Sequence, residues 1–169
     1  MSVTQAIRYA RRIGAVALSL AIADVLLAAP IGQFGDWSAH SHVTEGRCYA
    51  GTPQVVAVPG AATSWLLITR DIRSGEAHSV SVQRGSPFKS GTTFRALIGA
   101  QRFDLFTQGA NAWTVDAAAD ERMVNAMRTG ERVTMAGTSV GNQPVLESFS
   151  LEGFTQALDA ITAACELRN

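Results

Sequence analysis

Residues 94–108 read FRALIGAQRFDLFTQ, and this stretch decides the fold. Its apolar side chains recur at every second position, first from Phe94 to Ile98 and then at Phe103 and Leu105. Such alternation is typical of strands with one buried and one solvated face. The Gly-Ala pair between the two runs supplies the tight reversal of a hairpin. The stretch therefore predicts two antiparallel strands.

The same period of two continues along most of the chain. Val80 and Val82 alternate with polar neighbours, whereas residues 65–68 are apolar throughout and predict a central strand buried on both faces. Turn-forming Gly, Asn and Pro separate the runs. Strands are expected to begin near Gly35, Arg47, Ser64, His78, Thr92, Gln101, Ala112, Arg132 and Val145. The fold is therefore predicted to be mainly β, an antiparallel β-sandwich or a partly closed barrel.

Two helices are predicted among the strands. Asp116 can cap the first helix and Gly130 can end it. The second runs from about residue 152 to residue 167 and carries one apolar stripe, so it is expected to pack on the sheet. The stripe comprises Phe154, Ala157, Leu158, Ile161 and Cys165.

The N-terminal segment has the pattern of a secretory signal peptide. Three arginines between positions 8 and 12 precede an uncharged apolar run that ends in AIA, with small residues where a signal peptidase reads the chain. The run is shorter than the roughly 20 apolar residues of a membrane span. We predict that residues 1–23 are removed by the general secretory route, with cleavage after Ala29 as the second choice. Residues 24–169 then form a single domain in the periplasm or outside the cell.

The chain contains two cysteines, Cys48 and Cys165. An exported protein meets an oxidising compartment, where an even number of cysteines usually pairs. We therefore predict one disulfide, with two buried free thiols or a reactive thiol as the alternatives. Two distant cysteines are too few ligands for a metal site.

Composition excludes several functional classes. Of 169 residues, 47% are hydrophobic and 17% charged, with 14 basic and 14 acidic side chains, so a disordered chain is excluded. A nucleic-acid partner is not expected, because no basic block is present to neutralise phosphates. The sequence shows no phosphate-binding loop and no dinucleotide motif, and we predict no cofactor.

One short motif suggests catalysis. Residues 137–141 read GTSVG and match the G-x-S-x-G elbow that exposes a nucleophilic serine, here Ser139, with His78 as the candidate base. An elbow needs a following helix, but Asn-Gln-Pro and a strand-like run come next. The favoured interpretation is a hairpin turn and no enzymatic activity, with a small periplasmic serine hydrolase as the alternative.

Two histidines have a spacing that metal ligands sometimes show. His40 and His42 would project to one side of a strand, opposite Trp37 and Ala39. A third ligand is not indicated, so a solvated strand face is favoured and no metal is predicted. A metal-binding envelope protein is the alternative.

The turn-rich segment 86–91 carries Phe88 and Lys89. An aromatic residue beside a cation on a loop can form a recognition tip, and we take these two residues as the candidate interaction loop. The more frequent outcome for such a residue is that Phe88 folds back and plugs the end of the sheet.

Several segments, taken in order, resemble the invasion-associated locus B family of alphaproteobacteria. They are FGDW at 34–37, CYA at 48–50, GSPFKSG at 85–91, FDLFTQG at 103–109, AW at 112–113, MVNAMR at 123–128, GTS at 137–139 and SFSL at 148–151. Some members carry a further cysteine shortly after GDW, where this chain has Ser41 nearby, so a single bridge is expected.

The resemblance implies a small, exported, mainly β protein of the bacterial envelope, associated in pathogens with host-cell entry and virulence, and without established enzymatic activity. We therefore expect an interaction protein whose partner is an envelope or host-cell surface protein. No integral membrane span is expected after cleavage of the leader.

Overall fold

A computed structural model describes residues 28–56, 63–73 and 78–166. The predicted leader and its preferred cleavage site lie outside these residues. The strands are β1 Ala29–Phe34, β2 Trp37–His42, β3 Arg47–Pro53, β4 Trp65–Asp71, β5 Ser79–Gln83, β6 Phe94–Ile98, β7 Gln101–Gln108, β8 Asn111–Thr114, β9 Arg132–Thr138 and β10 Pro144–Ser150. The helices are α1 Ala117–Thr129 and α2 Phe154–Glu166. In the described part of the chain, neither helix is long and apolar enough to cross a membrane.

All ten strands of the described residues form one antiparallel sheet in the order β1-β2-β3-β4-β5-β8-β7-β6-β9-β10. The sheet curls without closing. Its two halves meet where Gln54, just after β3, bridges Phe149 of β10, and where Val55 N donates to Ser148 O over 2.7 Å. The predicted mainly β, antiparallel class is confirmed, as a curled open sheet rather than two separate ones.

The alternation in sequence becomes an alternation in burial. In the β6–β7 hairpin, Phe94, Ala96 and Leu105 are buried while Arg95 and Asp104 face solvent and pair with each other. The inward side chains of the curled sheet join those of both helices in one hydrophobic core.

The prediction that residues 65–68 are buried on both faces is wrong. Leu66 and Ile68 are fully buried, whereas Trp65 is 38% exposed and Leu67 is only partly covered. Strand β4 has helix α2 packed on one side only, so its other side remains accessible.

Helix α1 begins as predicted, since the Asp116 side chain accepts a hydrogen bond from Ala119 N over 2.7 Å. Asp120 lies in the first turn of α1. It is buried and accepts hydrogen bonds from Val80 N (2.6 Å) and the Thr114 hydroxyl. Asp120 therefore ties α1 to the sheet.

Helix α2 packs on β1 to β4, and its predicted apolar stripe is buried. Phe154 meets the buried Trp37 edge-on with ring centroids 4.9 Å apart. The structure contains the predicted disulfide between Cys48 and Cys165, which joins β3 to the last turn of α2 across 117 positions. The bridge thus fixes the end of the helix to the sheet.

Strand β1 was not predicted from the sequence. It pairs with β2 despite a register shift between Pro30 and Gly32, which breaks the alternation that would have revealed it. The second-choice cleavage after Ala29 would fall at its first residue.

Candidate interaction surface

The side of the sheet opposite α2 is open to solvent across β2 to β5, β8 and β7, and we call it the outer face. The strand register places one row of outward residues side by side across it: Ser38, Gly51, Leu67, Ser81, Trp113 and Phe106. The row is apolar at both sides of Ser81. A rigid sheet therefore presents two groups of apolar and aromatic side chains.

The first group lines a groove of about 590 Å³ over β2 to β5. Its lining residues are Ser38, His40, His42, Glu45, Arg47, Tyr49, Gly51, Trp65, Leu67, Thr69 and Gln83. Gly51 is buried beneath side chains of β4, because a Cβ atom there would lie 2.7 Å from Leu67 Cδ2 and 3.7 Å from Trp65 Cε3. Leu67 and Trp65 thus cover the β3 backbone at this point.

The two candidate metal ligands lie on one wall of this groove. His40 and His42 both stack on the Tyr49 ring, with centroids 5.1 Å and 5.9 Å away. They share one strand face, as the spacing predicts. No group of three residues of metal-ligating type that could hold an ion occurs among the described residues.

The second group is a pair of stacked aromatic rings. Phe106 and Trp113 lie 5.3 Å apart between centroids, and Phe106 is 48% exposed. Neither ring plugs the core, because both point away from it. This pair was not predicted from the sequence. The alternation along β7 indicated only that Phe106 lies on the face opposite to that of its buried neighbour Leu105.

The candidate interaction loop is corrected in part. Phe88 is only 4% exposed and packs on Phe94 with ring centroids 4.7 Å apart, while Arg84 lies 4.8 Å above its ring. Burying the apolar ring in this core contact is more favourable in free energy than exposing it to solvent. Phe88 is therefore a core plug and not a recognition tip. Lys89 is at the surface, where its Nζ donates to Asn142 Oδ1 over 2.6 Å.

The two residues of the hydrolase alternative have separate partners. Ser139 lies in the β9–β10 turn, where its hydroxyl and Gln143 hydrogen-bond over 3.2 Å and β10 follows at once. His78 Nε2 contacts Thr162 Oγ1 at 3.0 Å. The structure therefore places a hairpin, and not the helix of a nucleophile elbow, after Ser139.

The pKa of His78 is lowered from the ordinary histidine value. Burial is the largest cause, and the neighbouring Arg70 and Arg128 lower it further, while Asp159 and Glu166 oppose them. Thr162 donates its own proton to Leu158 O over 2.8 Å, so His78 Nε2–H is the donor to Thr162. This contact connects the start of β5 to α2.

One buried ion pair, between Arg84 and Glu147, was not predicted from the sequence. Arg84 Nε and the Ser64 hydroxyl both donate to Glu147 Oε1 over 2.7 Å. The side chains of Arg84 and Glu147 are 10% and 7% exposed. The pair joins β10 to the chain beyond β5, and it has no local sequence signal because 63 positions separate its members.

Comparisons with known proteins agree with the fold and with the predicted resemblance. A model of the invasion associated locus B (IalB) protein family matches residues 101–162. The crystal structure of invasion associated protein B from Bartonella henselae has a similar fold, with a TM-score of 0.62 and 16% sequence identity over 80% of this chain and 97% of that one. No curated protein matches the chain. The family model thus covers about a third of the chain, and the structural match shows that the two proteins share a fold.

Proposed function

We propose that this chain is a member of the invasion associated locus B family and that it is an exported, non-enzymatic protein that binds an envelope or host-cell surface partner through its outer face. The observation that supports it most is the exposure of Trp65 and Phe106, 38% and 48%, on a rigid sheet. Aromatic side chains gain free energy when a partner buries them, and they are enriched at protein interfaces.

Export is supported by the disulfide together with the leader pattern. Bridges of this kind persist in the periplasm and outside the cell, and they are rare in the cytoplasm. Mass spectrometry of the protein from its own cells tests this step. A periplasmic or secreted chain that begins at Asp24 and resists alkylation is expected. A cytosolic chain that keeps residues 1–23 and has two reactive thiols would contradict export.

The non-enzymatic part of the proposal is supported by the separate partners of Ser139 and His78. A serine nucleophile is activated by a base within hydrogen-bond reach. Here the Ser139 hydroxyl is engaged by the Gln143 backbone, and His78 donates to Thr162 on α2.

Photocrosslinking in intact cells tests the interaction surface. A benzophenone side chain at position 106 should capture a discrete surface partner. The same group at Val140, which is 67% exposed in the β9–β10 turn, is the matched control and should capture none. Equal capture at both positions, or none at either, would argue against the outer face as the binding surface.

A further inference from the structure

The groove on the outer face combines flat apolar rings with polar groups that have no protein partner. On one side the Tyr49 ring carries the stacked His40 and His42; on the other lie Trp65 and Leu67. Leu67 also covers the buried Gly51, so this part of the groove presents an apolar surface. The volume of about 590 Å³ lies within the range of small-molecule sites.

Polar atoms around the groove are available to a ligand. Within the described residues, no side-chain hydrogen bond is formed by His40, His42, Tyr49, Trp65, Thr69 or Gln83. Water satisfies these atoms in the free protein, and ligand hydroxyl groups can replace it at little enthalpic cost. Donors and acceptors are both present, because an indole gives only a proton whereas hydroxyl and amide groups do both.

The groove carries no uncompensated formal charge when its histidines are neutral. Its acidic and basic residues, Glu45 and Arg47, form an ion pair with each other. The hydrogen bond from Arg47 is the main cause that lowers the Glu45 pKa, so the carboxylate stays ionised and paired. A charged ligand would have to compete with this pair.

We infer that this groove binds a neutral oligosaccharide of hexopyranose rings. A hexopyranose with equatorial substituents has a flat C–H face, which stacks on an aromatic ring, and a rim of hydroxyl groups, which hydrogen-bond around it. Trp65 is the stacking platform, and Thr69 and Gln83 bind hydroxyl groups. The inference rests on the proposed function, since it names a ligand class for one part of the outer face.

An extended peptide fits the groove less well. Peptides that join a sheet pair with an exposed strand edge, but β3 and β4 lie inside the sheet with neighbours on both sides. Their backbone groups are therefore already used. A peptide would have to bind through side chains alone.

Isothermal titration of the purified, disulfide-bonded protein tests the inference. The probes are the neutral sugars cellotriose, N,N′,N″-triacetylchitotriose and lacto-N-tetraose, with a pool of unstructured heptapeptides as the competing class. At least one sugar should bind saturably. Trp65→Ala should weaken that binding at least about tenfold, a loss of about 1.4 kcal/mol, whereas Trp65→Phe keeps a ring and should restore most of it.

The matched control is Phe106→Ala, which removes an exposed aromatic ring of the same face outside the groove and should leave sugar binding within about twofold, or about 0.4 kcal/mol. No saturable binding of any sugar, equal losses in both alanine variants, or Trp65-dependent binding of the peptides alone would overturn the inference. Thermal unfolding of each variant checks that the fold is retained.

Failure of this inference is distinguishable from failure of the proposed function. Capture of a surface partner through position 106 with no sugar bound would remove the carbohydrate groove and keep the interaction surface. Sugar binding without any partner captured through position 106 would keep the carbohydrate groove and remove the interaction surface.

Discussion

At the scale of single residues, Phe88 shows how a turn-rich loop contributes to the core. The loop residues around it are exposed, but its ring packs between Phe94 and the Arg84 guanidinium. We expect Phe88→Ala to lower the free energy of unfolding by about 3–5 kcal/mol, the usual result of removing a buried phenyl ring. Urea unfolding measures the change, and Lys89→Ala is the control, expected within about 0.5 kcal/mol of the parent. A change in the free energy of unfolding close to zero for Phe88→Ala would contradict the buried position of the ring.

Ser139 allows a second test at this scale. A fluorophosphonate probe should not label the purified protein, because in the described part of the chain the Ser139 hydroxyl hydrogen-bonds to the Gln143 backbone and not to a base. Ser139→Ala should leave the labelling background and the melting temperature unchanged. Stoichiometric labelling that disappears in Ser139→Ala would establish the hydrolase alternative instead.

His78 gives the protein a pH-dependent stability. Its pKa is lowered in the folded protein, mainly by burial, so below the unfolded value of 6.5 the unfolded chain binds more protons than the folded one. The stability that the neutral ring contributes is complete above pH 6.5. It is lost as the pH falls from there through the folded pKa.

The measurement is the melting temperature between about pH 7.5 and pH 5, on either side of the ordinary histidine pKa. His78→Gln keeps a donor for Thr162 and cannot titrate, so its melting temperature should fall less than that of the parent. His40→Gln, on the exposed wall of the groove, is the control and should behave like the parent. Identical profiles for all three proteins would show that His78 is not the titrating group.

At the scale of elements, the disulfide determines how firmly α2 is held. It closes a long loop, for which the chain-entropy model gives about 4–5 kcal/mol as an upper value. The Cys48→Ser, Cys165→Ser double variant should therefore lose about 2–5 kcal/mol. Urea unfolding of the oxidised parent and the variant measures this loss, and an unchanged midpoint would contradict it. Because α2 packs on the side of the sheet opposite the outer face, the double variant should keep the sugar affinity of the groove at denaturant concentrations below its unfolding transition.

The elements that could be predicted from sequence are those with a local cause. The β6–β7 hairpin follows from strict alternation and a Gly-Ala turn, and α1 follows from the Asp116 cap. Strand β1 was missed because the shift at Pro30 and Gly32 breaks its period. Trp65 was assigned to the core because an apolar run does not tell which of its faces another element covers.

The same reasoning explains why the groove could not be predicted. Its walls come from β2 to β5, and only the strand register brings His40, Tyr49 and Thr69 into one row. The sequence indicated that His40 and His42 share a face, but not that Tyr49 of β3 stacks on both of them or that Leu67 covers Gly51. This information lies in the pairing register of four consecutive strands, β2 to β5, which the sequence pattern did not determine.

At the scale of the whole molecule, the curled sheet depends on contacts between its first and second halves. Trp37 Nε1 donates to Ser150 O over 3.0 Å, and the backbone after β3 pairs with β10. The Glu147 carboxylate adds an ion pair with Arg84 in the same region. These contacts fix the curvature of the sheet. The groove and the aromatic pair therefore keep a fixed position relative to each other on the outer face.

The buried pair gives the last prediction. Glu147→Ala should lower the free energy of unfolding by about 3–5 kcal/mol, because it leaves the Arg84 guanidinium largely buried without its carboxylate. Replacing both residues, Arg84→Met with Glu147→Leu, removes the unpaired charge and should recover most of that loss. Urea unfolding of the two variants and the parent measures this coupling, with Arg95→Ala, which breaks the exposed pair with Asp104, as a control expected to cost at most about 1 kcal/mol. If the double variant is no more stable than Glu147→Ala alone, the pair contributes packing and not charge compensation where the two halves of the sheet meet.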